Sequence, residues 1–344
     1  MQKRICEYGF NIGHMKKGDL NKITDVEGVT VGHCTIDTES SKTGVTVIMP
    51  CPDNPFARKL TAAAFVHNGF GKTQGIPQIE ELGTLETPIA LTNTLNIGKV
   101  HDAITGYMLE RCKEDGIKCT SINPVIGECN DSVLNDISIR AVDGEHVLKA
   151  IQCSCRSFEE GSVGAGKGTV CFGLKGGIGS ASRIMEIGGK CYTLGVLVQS
   201  NFGATENLTL CGHEIGPMLK EKITSTELDR GSIMMIIATD LPLSSRQLKR
   251  VIKRAGVGLN RCGSFMGHGS GDIMIGFTTS NRIETADDTQ QMTIIREDLI
   301  SNAFTACAES TEEAVLNSLA MAETTRGFDG TVKYSLTDIY LKNL

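Results

Sequence analysis

Apolar and polar positions first alternate in short β-branched runs. Gly28–Ile36 (GVTVGHCTI), Gly44–Pro50 (GVTVIMP) and Thr61–His67 each end at or near Gly, Pro or Asn, and they predict three strands. From about Asn93 to Asp115 the period changes. Leu95, Val100, Ile104, Met108 and Leu109 recur at near-helical spacing with charge at the far end, which predicts a long helix. Glycine then dominates from Gly161 to Arg183, where turns and strands alternate, and Tyr192–Gln199 reads as a strand leading into Ser200-Asn201-Phe202-Gly203. Ser232–Ala238 (SIMMIIA) is apolar apart from its first residue, as suits a strand buried on both faces. Asp240-Leu241-Pro242 follows it, and Ser244 stands as an N-cap ahead of a basic helix over Ser245–Arg254. A strand at Asp272–Thr279 and an amphipathic helix near Arg296–Ala322 repeat that order. No low-complexity linker or solenoid period divides the chain, so residues 1–344 read as one α/β domain, with two sheets between layers of helix as a candidate architecture.

Composition narrows the function classes. The 344 residues are 40% hydrophobic and 22% charged, enough for a sizeable core. Thirty-four basic residues against 40 acidic ones give a net charge of −6 with no basic patch, so neither nucleic acid nor anionic membrane is an expected partner. Thirty-nine glycines and no tryptophan place the emphasis on close backbone geometry rather than aromatic platforms. The cysteines number 13 and include no CxxC; Cys153 and Cys155 lack metal-site spacing, and reduced, mostly buried thiols are expected. The N-terminus MQKRICEYGFNIGHMKKGDL has no apolar core of a signal peptide, and no apolar stretch approaches the roughly 18 residues of a membrane span. A cytoplasmic location is the corresponding expectation.

Several motifs compete for the chemistry. GSVGAGK at Gly161–Lys167 is followed by Gly168 instead of Ser or Thr, and by the β-branched Thr169–Leu174 instead of a helix, so a close-packing turn is favoured over a phosphate loop. The seven histidines are isolated, no HExxH occurs, and no G-x-S-x-G elbow precedes a helix. Gly231-Ser232 is different, because it falls where the charged stretch Ser225–Arg230 gives way to an apolar strand. One reading is a simple turn. In the other, the strand pins Ser232 while the loop strains the peptide, and the hydroxyl attacks the Gly231 carbonyl; hydrolysis of the resulting ester leaves Ser232 as an N-terminus whose α-amine, of reference pKa about 7.7–8.0, serves as its own base.

At these residues the chain closely resembles the L-aminopeptidase/D-esterase and β-aminopeptidase family, self-processing N-terminal-serine hydrolases that share a fold with ornithine acetyltransferases. The resemblance runs through Asn21–His33, Lys42–Pro50, His67–Gly98, Pro124–Asp136 (PVIGECNDSVLND), Lys175–Arg183 (KGGIGSASR), Gly195–Gly203 (GVLVQSNFG), Arg230–Asp240 (RGSIMMIIATD) and Gly263–Ile273 (GSFMGHGSGDI). It implies a four-layer αββα sandwich and a cut between Gly231 and Ser232 into an α-chain, 1–231, and a β-chain, 232–344. Ser232 is then the nucleophile. Asn201 maps to the oxyanion donor, Ser270 and Asp272 to the Ser-x-acid pair that supports the nucleophile, and Glu128 to the carboxylate that holds the substrate's amino group. Without the resemblance, Asn201 and GSGD read as turns and Glu128 as a solvated loop acid. Some members carry a tyrosine shortly after this glutamate; residues 129–136 contain none, and Asn130 takes its place.

The resemblance implies short peptides, amino-acid amides or esters as substrates, with L-α, D-α or β residues, no metal or organic cofactor, and a homo-oligomer of αβ units. Two other readings are an ornithine-type acyltransferase, whose branch uses threonine where this chain has Ser232, and an unprocessed relative that only binds peptides.

Overall fold

The structure, a computed structural model, describes residues 2–223, 230–284 and 288–343; most of the charged stretch Ser225–Arg230 lies outside them. Two sheets dominate. The first joins β1 (Thr30–Asp37), β2 (Lys42–Met49), β5 (Ile89–Asn93) and β6 (Val125–Cys129) in the order β1-β2-β5-β6. The second joins β3 (Arg58–Gly69), β4 (Thr84–Leu85), β7 (Gly177–Ile187), β8 (Lys190–Asn201), β9 (Arg230–Thr239) and β10 (Gly269–Glu284) in the order β4-β3-β10-β9-β8-β7. Pairing is antiparallel except for β5 with β6 and β9 with β10.

Three apolar layers hold the sandwich together. Outside the first sheet, Val100, Ile104 and Met108 of α1 (Ile97–Glu114) and Val147 and Ala150 of α2 (Gly144–Gln152) cluster with Val45, Val47, Ala90 and Ile126. Between the sheets, Val31, Ile48, Leu91 and Val125 cluster with Ala62, Ala64, Leu197, Met234 and Ile275. Outside the second sheet lie α3 (Ser245–Ile252), α4 (Ala255–Arg261) and α5 (Ser301–Ala320), whose Leu248, Val251, Leu259, Val315 and Leu319 meet Val196, Val198, Met235 and Met274. The expected four-layer αββα arrangement results. It explains why β9 shows no alternation in sequence: Ile233, Met235 and Ile237 face the helices while Met234, Ile236 and Ala238 face the other sheet, so both faces are dry. The step from β9 through α3 and α4 to β10 joins parallel neighbours, and Ser244 caps α3 by accepting from the Gln247 N–H at 3.2 Å.

Some boundaries differ from those expected. The long helix starts at Ile97 because Asn93 ends β5 and turns its carboxamide oxygen onto the Asn96 N–H at 3.1 Å. The last long helix starts at Ser301, after a 3₁₀ turn over Glu297–Leu299, and its polar face is buried too. Arg183 Nε lies 2.9 Å from Glu309 and Arg183 Nη2 2.8 Å from Glu313, while Lys17 of the N-terminal segment covers Glu313 at 2.8 Å. The Gly161–Lys167 stretch forms a 3₁₀ turn at Gly164–Gly166 with Lys167 paired to Asp37 at 2.7 Å, and opens no α-helix. All thirteen cysteines are free thiols; Cys34, Cys51, Cys112, Cys129, Cys171, Cys262 and Cys307 are buried, and Cys153, Cys155 and Cys191 are exposed. Among the described residues no helix is long and apolar enough to cross a membrane.

Candidate active site

Three strand ends converge on Gly231-Ser232. Asn201, the last residue of β8, pairs with Ser232, and on the other side the parallel register sets Gly231 beside Ser270 and Ser232 beside Gly271. Space at this junction is measured in tenths of an ångström. A Cβ on Gly231, whose φ is +155°, would lie 2.0 Å from the Asn201 carbonyl oxygen, so only glycine fits. A Cβ on Gly271 would lie 2.7 Å from the Phe70 carbonyl oxygen and 3.2 Å from Ser232 Oγ, so the missing side chain lets the Phe70 main chain and the hydroxyl approach β10 closely.

Ser232 is buried, with 7% of its surface exposed. Its carbonyl accepts a hydrogen bond from Cys129 Sγ at 3.5 Å, and the same sulfur lies 3.4 Å from the Gln199 carbonyl. Burial pushes the Cys129 thiol well above its usual pKa, which keeps it a donor. Because Cys129 belongs to β6, this thiol ties the first sheet to the second directly beneath Ser232.

The neighbouring Glu128 is buried rather than a solvated loop acid. The Lys72 N–H donates to its Oε1 at 3.0 Å and the Thr94 hydroxyl to its Oε2, so both oxygens are oriented. The turn Phe70-Gly71-Lys72 lies between this carboxylate and β10, since a Cβ on Gly71 would be 3.6 Å from Glu128 Oε1 and 3.9 Å from Gly271 Cα.

Asn201 likewise sits at a strand end instead of in a turn. Its Oδ1 accepts from the Val170 N–H at 2.9 Å, so the NH₂ end is the one left to donate. Ser270 and Asp272 lie within β10, buried, with the Ser270 hydroxyl donating to Asp272 Oδ1 at 2.8 Å. Strand alternation puts this pair on the helix side, the side of Met274, whereas Ser232 shares the inter-sheet side with Met234 and approaches Gly271 there. The pair therefore flanks the main chain at Gly231 rather than the Ser232 hydroxyl. Asn130 is exposed, its Oδ1 taking the Ser132 N–H at 3.0 Å, and it is not drawn into the buried cluster.

Sequence reasoning passed over Thr94, Cys129, Val170 and the Lys72 amide. None carries a local signal, because each acts through a contact 31 to 103 residues away in the chain. Among the described residues no group of three or more His, Cys, Asp or Glu side chains is placed to hold a metal ion.

A buried serine near the start of a strand, with an oriented amide and an oriented carboxylate nearby, suits acyl transfer. The chain matches the model of "Peptidase family S58" over residues 21–333. It is 36% identical over 341 residues to the β-peptidyl aminopeptidase BapA of Sphingosinicella microcystinivorans, covering 92% of this chain and 85% of that protein. Among solved structures it is similar to the PH0078 protein of Pyrococcus horikoshii OT3, with 48% identity, a TM-score of 0.93, and coverage of 99% of this chain and 98% of the other. It is also similar to the L-aminopeptidase D-Ala-esterase/amidase of Ochrobactrum anthropi, described as a prototype serine aminopeptidase and a variant of the Ntn-hydrolase fold, with 33% identity, a TM-score of 0.91, and coverage of 96% and 95%. Agreement of this extent in sequence and in backbone leads to one assignment: the chain belongs to peptidase family S58 and is a serine aminopeptidase.

Proposed function

We propose that the enzyme arms itself by cutting the Gly231–Ser232 bond and then uses Ser232 to release N-terminal amino acids from short peptides, amides or esters. The observation that carries this reading is the packing at the junction. Gly231 lies so close to the Asn201 carbonyl that no side chain fits, and the Ser232 hydroxyl packs so tightly against Gly271 and the Phe70 main chain that a methyl group there would clash. In the first step Ser232 Oγ bonds to the Gly231 carbonyl carbon, the C–N bond breaks, and the amine is freed. Water then hydrolyses the ester, leaving a carboxylate on Gly231 and an α-amine on Ser232.

In turnover that amine takes the hydroxyl proton as Oγ attacks the substrate carbonyl, and returns a proton to the leaving amine. A second water resolves the acyl-enzyme. The Asn201 NH₂ meets the developing oxyanion. Glu128 binds the substrate's ammonium group and sets its distance from the reacting carbonyl, with Asn130 at the rim. Ser270, polarised by Asp272, stands on the side of the main chain where the new amine forms. The β-peptidyl aminopeptidase relative and the L-aminopeptidase D-Ala-esterase/amidase support a substrate range spanning β- and α-amino residues. We also infer a cytoplasmic enzyme, where unpaired thiols stay reduced, and a homo-oligomer of cleaved units, which light scattering of the purified protein tests.

Intact-mass measurement and amino-acid p-nitroanilide turnover test the central claim. The expected outcome is two pieces, 1–231 and 232–344, for the wild type, and for Ser232→Ala one uncut chain with kcat down by about 10³-fold or more. A fully active wild type with the bond intact would overturn the reading. Glu128→Gln is expected to raise KM for free-amine substrates while processing continues. Equal KM values in the variant and the wild type would remove Glu128 from the binding role.

A further inference from the structure

Lys175 is completely buried, although nothing in the proposed chemistry uses it. An ammonium has three donors and no acceptor, and this one meets three main-chain carbonyls, those of Gly166 at 2.8 Å, Thr169 at 3.0 Å and Gly176 at 2.6 Å. Burial pulls the Lys175 pKa well below the ordinary lysine value. Those three bonds offset the desolvation of the ammonium, and an apolar side chain of the same volume would take a donor from all three carbonyls.

The segment it gathers is costly in a second way. Val170–Cys171 and Leu174–Lys175 pair as a short antiparallel ribbon whose turn holds Phe172 at φ +52° and Gly173 at φ +73°. A phenylalanine in the left-handed region is strained, and such strain gathers where geometry has to be enforced. The ribbon is clamped onto the end of β8 around Asn201. The Phe172 N–H donates to the Phe202 carbonyl at 2.7 Å, the Phe172 carbonyl accepts from the Thr205 hydroxyl at 2.9 Å, and the Phe172 and Phe202 rings meet edge-on with centroids 5.1 Å apart. Between these clamps, the Val170 N–H reaches the Asn201 carboxamide oxygen.

We propose that Lys175 is a positioning residue for the Asn201 amide: by collecting the carbonyls of Gly166, Thr169 and Gly176 it fixes the Val170 N–H, which holds the Asn201 oxygen and aims the NH₂ end at the reacting carbonyl. The inference rests on the oxyanion role proposed for Asn201, and it extends that role to a residue that touches neither substrate nor nucleophile. Its physical content is preorganisation: the donor is aimed before substrate arrives, so no reorganisation is needed as charge develops.

A double-mutant cycle on the purified, processed enzyme tests it, with kcat and KM read on an amino-acid p-nitroanilide. Lys175→Met is expected to lower kcat about 10- to 100-fold while KM stays within about twofold. In the Asn201→Ala background, where no amide is left to aim, the same change is expected to cost less than about threefold. A folded Lys175→Met enzyme with wild-type kcat, or two effects that simply multiply, would overturn the proposal. Should Lys175→Met fail to fold, Val170→Pro deletes the N–H that reaches the Asn201 carboxamide oxygen with the lysine in place, and it is expected to show the same kcat loss and the same non-additivity; wild-type kcat in that variant is equally decisive against it. Failure of the nucleophile assignment is read separately, from turnover persisting in Ser232→Ala.

Discussion

Two glycines set how closely the strands approach one another at Ser232, and they do so differently. Gly231 is compelled by a main-chain carbonyl, that of Asn201, whereas Gly271 is compelled from one side by the Phe70 carbonyl and crowded from the other by the Ser232 hydroxyl. Gly271→Ala is therefore expected to push back the Phe70 main chain, crowd Ser232, lower kcat by at least about tenfold and cost about 1–3 kcal/mol of stability; steady-state kinetics and urea titration read the two effects separately. Cys129 is the other residue whose role is purely geometric. Cys129→Ala removes the sulfur that spans the Ser232 and Gln199 carbonyls and leaves a cavity between the sheets, at a cost of about 1–3 kcal/mol. Cys129→Ser, which restores a donor, is expected to recover part of that loss in the same urea titration. At this scale the Gly231-Ser232 junction was visible in the chain as an abrupt change from charged to apolar. Gly271 was not, because GSGD has the composition of a turn until pairing with β3 and β9 makes it strand.

Secondary-structure elements were legible to the extent that their periodicity is local. The runs at β1, β2, β3, β8, β9 and β10 and the helices α1, α3 and α5 all form where β-branched alternation or 3.6-residue recurrence places them. The character of α5 was not legible. Its acidic face suggests solvent, yet Glu309 and Glu313 are inside, facing the fully buried Arg183 of β7, and the N-terminal segment closes over them. That arrangement depends on residues some 300 positions apart in the chain, such as Lys17 and Glu313, 296 apart. Arg183→Met is accordingly expected to leave two carboxylates short of their cation and destabilise the protein by about 3–5 kcal/mol. Denaturant unfolding measures this, and a loss below about 1 kcal/mol would show that the remaining Lys17 and main-chain donors suffice.

For the molecule as a whole, stability is expected to depend on one histidine placed where the layers meet. His33 of β1 donates from Nε2 to the Glu159 carbonyl at 3.0 Å and accepts at Nδ1 from the Thr46 hydroxyl at 2.9 Å, and burial lowers its pKa from 6.5 to about 4. A depressed folded-state pKa means that the unfolded chain takes up the proton first. The contribution is complete above pH 6.5 and is lost progressively as pH falls towards about 4, by up to about 3 kcal/mol. The difference in urea midpoint between wild type and His33→Gln, followed from pH 7 to pH 4.5, is expected to shrink or reverse on acidification. A constant difference would mean that His33 titrates normally.

Order along the chain was enough to identify the strands and helices, the α/β class and the glycine–serine junction, since each depends on residues within one or two turns of each other and on whether water or a neighbour lies opposite. Resemblance of motifs added the layer order and the residues to watch. The distances that make a site of them came only with the fold. Tertiary pairing turned Asn201 to face Ser232, set Ser270 and Asp272 on the far side of the main chain, buried Glu128 between a backbone amide and a hydroxyl, and brought Val170 and Cys129 beneath them. Hydrogen bonds and steric contacts act over a few ångströms of space regardless of separation in sequence, so their partners are chosen when the layers pack.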